Sequence, residues 1–290
     1  MGDYLIRGTA LNGQVRAFAV VTTGITEEMR RRHDTSPVAT AALGRTAAAA
    51  LMMGAMLKGQ EKLTIQIHGG GPIGKIVVDA NANGEVRGYV DNPHVDLPPN
   101  AAGKLDVAGA VGVDGALVVT KDLGLKEPYR GSVQLISGEL AEDFTYYFAY
   151  SEQTPSAVAL GVLADRDVLV RVSGGFIIQL LPGLTDEEIG DIEQKLAAIP
   201  PVTKLLDGGA TPEEILRQVL PDVQVLERMD IRFHCPCTKE RIEQALISLG
   251  RTELQAILDE EGFAEAVCHY CNEPYRFESD DLKHLIEQIG

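Results

Sequence analysis

The sequence predicts an α+β protein in three parts: an N-terminal domain of mixed or antiparallel sheet with helices, a helical linker, and a small C-terminal domain built on four cysteines. Three observations carry this. Short alternating apolar–polar runs recur through residues 1–182, too many for the few helical stretches among them, which argues against a doubly wound parallel sheet. After Pro182 and Gly183 the period turns helical, in short pieces cut by Pro-Pro and Gly-Gly. All four cysteines of the 290-residue chain lie in its last fifth.

In the N-terminal domain, residues 1–182, strand-like alternation marks Tyr4–Ala10, Val15–Thr23, Leu63–His68, Lys75–Ala80, Glu85–Val90, Ala116–Thr120, Ser132–Ile136, Val168–Ser173 and Phe176–Leu181. Asn81-Ala82-Asn83-Gly84 joins two of these as a hairpin, because Asn-Gly accepts positive φ. Ser36 as cap and Pro37 at the first helical position open a long helix through about Leu57. Met52, Met53 and Met56 in it are expected to pack in the core. A second helix is expected over Glu139–Gln153, and Arg30, Arg31 and Arg32 read as a solvated helix face.

Residues 183–230 form the linker. Thr185 and Glu188 make a capping box ahead of Ile189, Ile192, Leu196 and Ile199 on one helical face, which Pro200-Pro201 ends. Thr211 and Glu214 make a second box, leading Ile215, Leu216, Val219 and Leu220 up to Pro221. Helices this short are marginal in water unless their stripe is packed, so the linker is expected to fold only while docked.

The C-terminal domain, residues 231–290, begins with a helix capped by Thr238 that carries Ile242, Leu246 and Leu249 and stops at Gly250. Thr252 and Gln255 are expected to cap the next, with Leu254, Ile257 and Leu258 inward and Gly262 as stop. Phe263–Val267 and Pro274–Phe277 flank Cys268 and Cys271 as a short hairpin, and Ser279 caps a last helix with Leu282, Leu285, Ile286 and Ile289. So small a core is marginal without a staple.

Net charge is −16, with 45% apolar and 23% charged residues, an ordinary soluble composition. Residues 1–182 carry −3, residues 183–227 carry −7 and residues 228–290 carry −6. A C-terminal four-cysteine module that acidic is a poor match for phosphate backbones, so no nucleic-acid partner is expected. The excess charge serves solubility, either of the folded protein or of a partly unfolded state. The stretch Thr46–Leu57 is too short to span a bilayer, and the N-terminus with Arg7 lacks a long apolar core before a small-residue cleavage site. The expectation is a protein of a reducing compartment, with no membrane partner and its cysteines given to metal or redox chemistry.

Cys235 and Cys237 are separated by one residue, Cys268 and Cys271 by two, and the pairs by thirty. Two thiolate pairs across a small folded insert have the spacing of a four-sulfur zinc site. A full shell of four thiolates leaves no open position for water or substrate, which points to one structural zinc per chain. With four sulfurs available, His234 and His269 are expected to pack or hydrogen-bond nearby. Structural zinc contributes about 10–16 kcal/mol in small peptides, so the metal should decide whether residues 231–290 fold.

Oxidation of four cysteines allows three connectivities. Pairing neighbours is favoured kinetically, closes only small loops and staples nothing across the insert. Either crossed connectivity closes a loop of roughly 30 residues and restores ~3–4 kcal/mol of constraint. Neighbour pairing would eject zinc, unfold the domain and loosen the linker, exposing its apolar stripes. Two other readings remain open from the spacing: a permanent zinc ribbon serving as an interaction module on an α/β domain, and a thiol oxidoreductase. The latter lacks a thioredoxin-like βαβ context around Cys268 and Cys271.

The segments Cys235–Ile242 and Cys268–Phe277 resemble the heat-shock protein 33 family of redox-regulated chaperones. So do Gly71-Pro72, Gly84–Tyr89, Glu142–Phe148 and Ser151–Ser156. The likeness covers essentially the whole chain, and all four cysteine positions match. It implies a cytoplasmic, non-enzymatic chaperone that is inactive when reduced with Zn2+ bound by Cys235, Cys237, Cys268 and Cys271. It implies that oxidant with unfolding stress forms the Cys235–Cys237 and Cys268–Cys271 disulfides, releases zinc and unfolds the linker. It further implies homodimers, especially when oxidised, that hold unfolding client proteins without ATP.

Two other motifs carry no function. Gly69–Lys75 mimics the start of a phosphate-binding loop, but Ile76 stands where Ser or Thr would hold magnesium and a strand follows in place of a helix. His68–Gly71 resembles an oxyanion loop, but the chain has no Gly-x-Ser-x-Gly elbow.

Overall fold

The computed structural model describes residues 2–164 and 169–289. They form two compact units, Met1–His234 and Cys235–Gly290. The first unit runs β1 (Tyr4–Ala10), β2 (Val15–Val21), α1 (Thr23–His33), α2 (Pro37–Gly54), β3 (Lys62–His68), β4 (Lys75–Asn81), β5 (Glu85–Val90), α3 (Val107–Val111), β6 (Ala116–Asp122) and β7 (Tyr129–Gln134). It continues with α4 (Ala141–Tyr150), β8 (Ser156–Ala164), β9 (Val170–Leu180), α5 (Asp186–Ala198), α6 (Val202–Asp207), α7 (Pro212–Val219), β10 (Gln224–Asp230) and β11 (Arg232–Phe233). The second comprises α8 (Lys239–Ile247), α9 (Arg251–Glu260), β12 (Ala264–Val267), β13 (Pro274–Phe277) and α10 (Ser279–Gln288).

Two sheets build the first unit, one ordered β10-β1-β2-β9-β8 and the other β11-β5-β4-β3-β6-β7. Every pairing is antiparallel except β11 with β5, so the sheets are antiparallel and mixed as the short alternating runs foretell. The β4–β5 turn works as its sequence requires: Asn81 Oδ1 accepts from the Asn83 and Glu85 N–H groups, and Gly84 takes φ 75°.

α2 is buried on nearly all sides, and one apolar cluster runs from it into both sheets, taking Leu5, Phe18 and Val20 from one and Ile65, Ile67 and Val78 from the other. A helix rich in alanine suits this place, because sheets can approach it closely from two directions. Ser36 Oγ accepts from the Ala39 N–H, and Pro37 fills the first helical position. Met52 and Met53 are fully buried here and Met56 packs against the cluster.

The opposite face of the five-stranded sheet is covered by α5, α6 and α7 of the same unit. Tyr4, Ile6, Ala17, Ala19, Phe176 and Ile178 of the sheet share a second apolar cluster with Ile192 of α5, Val202 and Leu206 of α6, and Ile215, Leu216 and Val219 of α7. Gly161 of β8 lets α6 close in: a Cβ there would sit 2.5 Å from Thr203 Cγ2 and 2.8 Å from Val202 Cγ1. The Tyr4 hydroxyl donates to Glu213 Oε2 at 2.8 Å, tying α7 to β1.

Both capping boxes form. The Thr185 N–H donates to Glu188 Oε2 and the Thr211 N–H to Glu214 Oε2, each at 2.8 Å. These backbone donors hold both carboxyls below the ordinary glutamate value of 4.5. A depressed folded-state pKa gives stabilisation that is complete above 4.5 and fades as pH falls below it through the folded values. Acidification is therefore expected to speed amide exchange in α5 and α7, corrected for intrinsic rates, ahead of α2. Exchange in α5 and α7 that does not depend on pH would contradict this.

Several elements differ from expectation. The two strands expected over Val168–Ser173 and Phe176–Leu181 are one strand, β9, and Val168 lies outside the described residues. β8 is an apolar run without alternation, because α-helices cover it, and periodicity does not reveal it. Pro200-Pro201 ends α5, and the six residues before Gly208 form the separate helix α6. β10 lies where only linker was expected. Arg30, Arg31 and Arg32 pair with Glu27 and Glu28, and Arg30 and Arg32 are half-buried. Gly250, not Thr252, begins α9, and Glu278, not Ser279, sits at the N-cap of α10 while Ser279 donates its hydroxyl to the Gly262 carbonyl at 2.5 Å. No helix among the described residues is long and apolar enough to cross a membrane.

Candidate metal centre

The second unit has a core of seven buried residues: Leu246, Leu254, Ala264, Phe277, Leu282, Leu285 and Ile286. Lys239 spans it at one side, pairing with Asp281 at 2.9 Å while its ammonium lies 5.1 Å from the centre of the Phe277 ring. These contacts hold α8 against α10 and fix the start of α8, where Thr238 Oγ1 accepts from the Arg241 N–H at 3.4 Å.

Cys235 and Cys237 occupy the loop that leads into α8. Arg241 Nη1 donates to the Pro236 carbonyl between them at 3.1 Å, so the first turn of the helix orients the pair. Cys268 and Cys271 sit in the turn of the β12–β13 hairpin. The Cys268 N–H bonds the Glu273 carbonyl at 3.0 Å, the Asn272 N–H bonds the Cys268 carbonyl at 2.7 Å, and Asn272 takes φ 57°. Asn tolerates that left-handed geometry better than most residues, which is why a tight knuckle closes here.

The four sulfurs lie within 4.8 Å of one another, with Cys235 Sγ 3.8 Å from Cys268 Sγ and Cys237 Sγ 3.2 Å from Cys271 Sγ. A tetrahedron of thiolates about a metal at ~2.3 Å has sulfur–sulfur edges of about 3.8 Å. The four cysteines are therefore placed to hold one metal ion. Cys268 and Cys271 are buried, Cys235 and Cys237 partly exposed. Neither His234 nor His269 belongs to this group. The His234 N–H instead bonds the Val86 carbonyl in the first unit.

Burial and the neighbouring thiols push the Cys271 thiol up. Burial acts the same way on Cys237, but donors from Tyr275 and the other thiols outweigh it and hold Cys237 below its usual value. Four clustered thiols resist becoming four thiolates without a cation among them, and a bound metal reverses that by its own charge. The distances also qualify the oxidation argument. Cys237 and Cys271, from different pairs, already lie 3.2 Å apart, so proximity alone does not select the neighbour disulfides.

Tyr275 carries no signal in the sequence that marks it as a site residue. It lies four positions past Cys271 on β13, and its hydroxyl donates to Cys237 Sγ at 3.2 Å. Only the register of the hairpin brings it there, with Tyr275 opposite Ala266. Tyr275→Phe is expected to weaken metal binding about tenfold, the usual scale for losing an outer hydrogen bond to a ligand. A chelator competition assay checks this, and unchanged affinity would show that the hydroxyl contributes nothing.

The Hsp33 protein family model matches residues 3–278. The chain belongs to the Hsp33 family. Among its relatives in that family, the 33 kDa chaperonin of Geobacillus kaustophilus is 58% identical over 287 residues, covering 98% of both chains. The 33 kDa chaperonin of Bacillus subtilis is 55% identical over 287 residues, covering 99% of both. The crystal structure of the Hsp33 homologue from Thermotoga maritima superposes with a TM-score of 0.94 at 39% identity, covering 99% of both chains. Hsp33 membership thus extends over the sheets, the linker helices and the four-cysteine unit alike.

Proposed function

We propose that this protein is a redox-regulated, ATP-independent holding chaperone, switched by one zinc ion on Cys235, Cys237, Cys268 and Cys271. Four soft thiolates suit zinc and close its coordination shell, which fits a structural clasp and not an enzyme. When the protein is reduced, zinc keeps residues 235–290 folded and the linker, residues 183–230, docked. An oxidant such as peroxide takes two electrons from each of two thiolate pairs. One sulfur becomes a sulfenic acid, its partner attacks, hydroxide leaves, and a disulfide remains. We assign the pairs as Cys235–Cys237 and Cys268–Cys271: all three connectivities remove every zinc ligand, and this one alone leaves the insert unstapled.

The observation that carries the reading is the second apolar cluster. Half of it belongs to the sheet, through Tyr4, Ile6, Ala17, Ala19, Phe176 and Ile178, and half to helices short enough to be marginal once undocked. Release of α5, α6 and α7 would uncover a broad apolar sheet face, a surface that unfolded proteins can bind. The chaperonin name carried by the relatives supports the same reading. We place the protein in the cytoplasm, with unfolded clients as partners and a homodimer as the oxidised form.

Zinc content, linker exchange and suppression of client aggregation, measured before and after peroxide with mild heating, test this. Zinc loss with gain of holding supports the switch. Retained zinc with unchanged activity leaves the constitutive interaction module, and turnover of dithiols would make the protein an oxidoreductase.

A further inference from the structure

We infer that the outer edge of β1 is a docking edge for clients, on which an extended segment of unfolded polypeptide adds as a strand in the place of β10. The inference rests on the reading that the linker lets go when the metal is lost.

β1 lies between two unequal neighbours. Its ladder with β2 runs unbroken from Tyr4 opposite Val21 to Ala10 opposite Val15. Its ladder with β10 shifts register between Arg7 and Gly8, pairing Arg7 with Glu227 and Gly8 with Val225, so that Leu226 has no opposite residue and stands 61% exposed. Every residue of β10 except the half-buried Met229 is exposed. The Arg7–Glu227 pair at 3.3 Å has both side chains 44% exposed, and such pairs contribute little. β10 is thus held by its backbone hydrogen bonds and by two side-chain contacts, the Arg228 guanidinium 3.8 Å from the centre of the Tyr4 ring and Met229 against the apolar cluster around α2.

β1 itself is secured differently. Leu5 is buried in the cluster around α2, and Tyr4 and Ile6 are buried on the linker-covered face. Loss of β10 would leave β1 seated in the sheet with a row of open N–H and C=O groups. At Gly8 the opposing chain comes so near that a Cβ would lie 2.8 Å from the Gln224 carbonyl oxygen. The nearest atom there is backbone, with the Val223 side chain next at 3.1 Å from the same point, so only a residue without a Cβ lets the two chains come this close.

These features match the task. Unfolded proteins share no sequence, but all offer an extended backbone, and strand addition draws its affinity from main-chain hydrogen bonds. Alternate apolar side chains of an added strand would fall beside Tyr4 and Ile6 on the uncovered sheet face. Among the described residues the far end strand, β8, has no strand beyond it even at rest, so its edge cannot account for a binding activity that is off at rest. The β1 edge is closed at rest and opened by the proposed switch.

Hydrogen exchange on the full-length protein tests this, in the reduced zinc form, after oxidation and zinc loss, and after adding a chemically unfolded client. Oxidation should release residues 224–230 and the amides of residues 4–10 that do not bond to β2. Client should then slow those β1 amides by about tenfold while residues 224–230 stay fast. A peptide of the Gln224–Asp230 sequence should compete with client, and the same peptide with every backbone nitrogen methylated should not.

Client held with β1 amides still fast, or equal competition by the methylated peptide, overturns the inference and leaves the switch intact. Residues 224–230 still protected after zinc loss would overturn the switch itself, and the docking edge with it. Protection of β1 that rises with protein concentration in the absence of client would assign the edge to a second copy of this chain and also overturn the inference.

Discussion

Stripping zinc from the reduced protein is expected to unfold residues 235–290 while the sheets around α2 stay folded. The second unit buries only seven side chains in its core, and its largest is Phe277. Chain entropy opposes folding by ~1–2 kcal/mol per ordered residue, which a core this small barely offsets. A structural zinc adds about 10–16 kcal/mol, more than such a unit has to lose. Circular dichroism should show loss of the helical signal of α8, α9 and α10, and amide resonances of residues 235–289 should collapse toward random-coil positions. The α2 resonances should not move. Cys271→Ser, which removes one buried member of the proposed ligand set, should reproduce the unfolding without a chelator. A metal-free second unit with native dispersion would remove the metal from any structural role.

Leu216→Glu is expected to give a protein that holds clients while still reduced and zinc-loaded. Leu216 is completely buried in the cluster between α7 and the sheet. A carboxylate placed there without a partner costs more than about 3 kcal/mol, against which α7 has eight residues, its capping box, the Tyr4–Glu213 hydrogen bond and the packing of Ile215 and Val219. The helix should undock, and the sheet face with Ile6, Ala19 and Phe176 should open, with no sulfur oxidised. Zinc content should equal that of the unaltered protein. Gln218→Glu puts the same charge on the exposed side of the same helix and should leave the protein inactive until oxidised. A silent Leu216→Glu protein with α7 demonstrably undocked would separate linker release from client binding.

How far the sequence foretells the molecule depends on the kind of signal. The capping boxes at Thr185 and Thr211 are local chemistry and form as written. The four cysteines, paired by spacing along the chain, come together within 4.8 Å of one another. β8 and β10 escape periodicity for opposite reasons. β8 is covered by helices and so does not alternate, and β10 is exposed on both faces and so reads as linker. The α9 and α10 caps differ from expectation because α9 starts after Gly250, which makes no side-chain cap, and because the Ser279 hydroxyl is taken by the Gly262 carbonyl, leaving Glu278 at the N-cap. Tyr275 depends on hairpin register, and Leu216 gains its weight only from the sheet beneath it. Both are tertiary facts about residues whose local sequence is ordinary.

The most direct test is amide exchange across α5, α6 and α7 in fully oxidised, zinc-free protein, with the disulfides mapped on the same sample. Cys235–Cys237 and Cys268–Cys271 bonds are expected together with near-complete loss of protection in all three helices while α2 stays protected. Linker helices as protected as in the reduced zinc form, in protein shown to carry those two disulfides, would contradict the proposed switch.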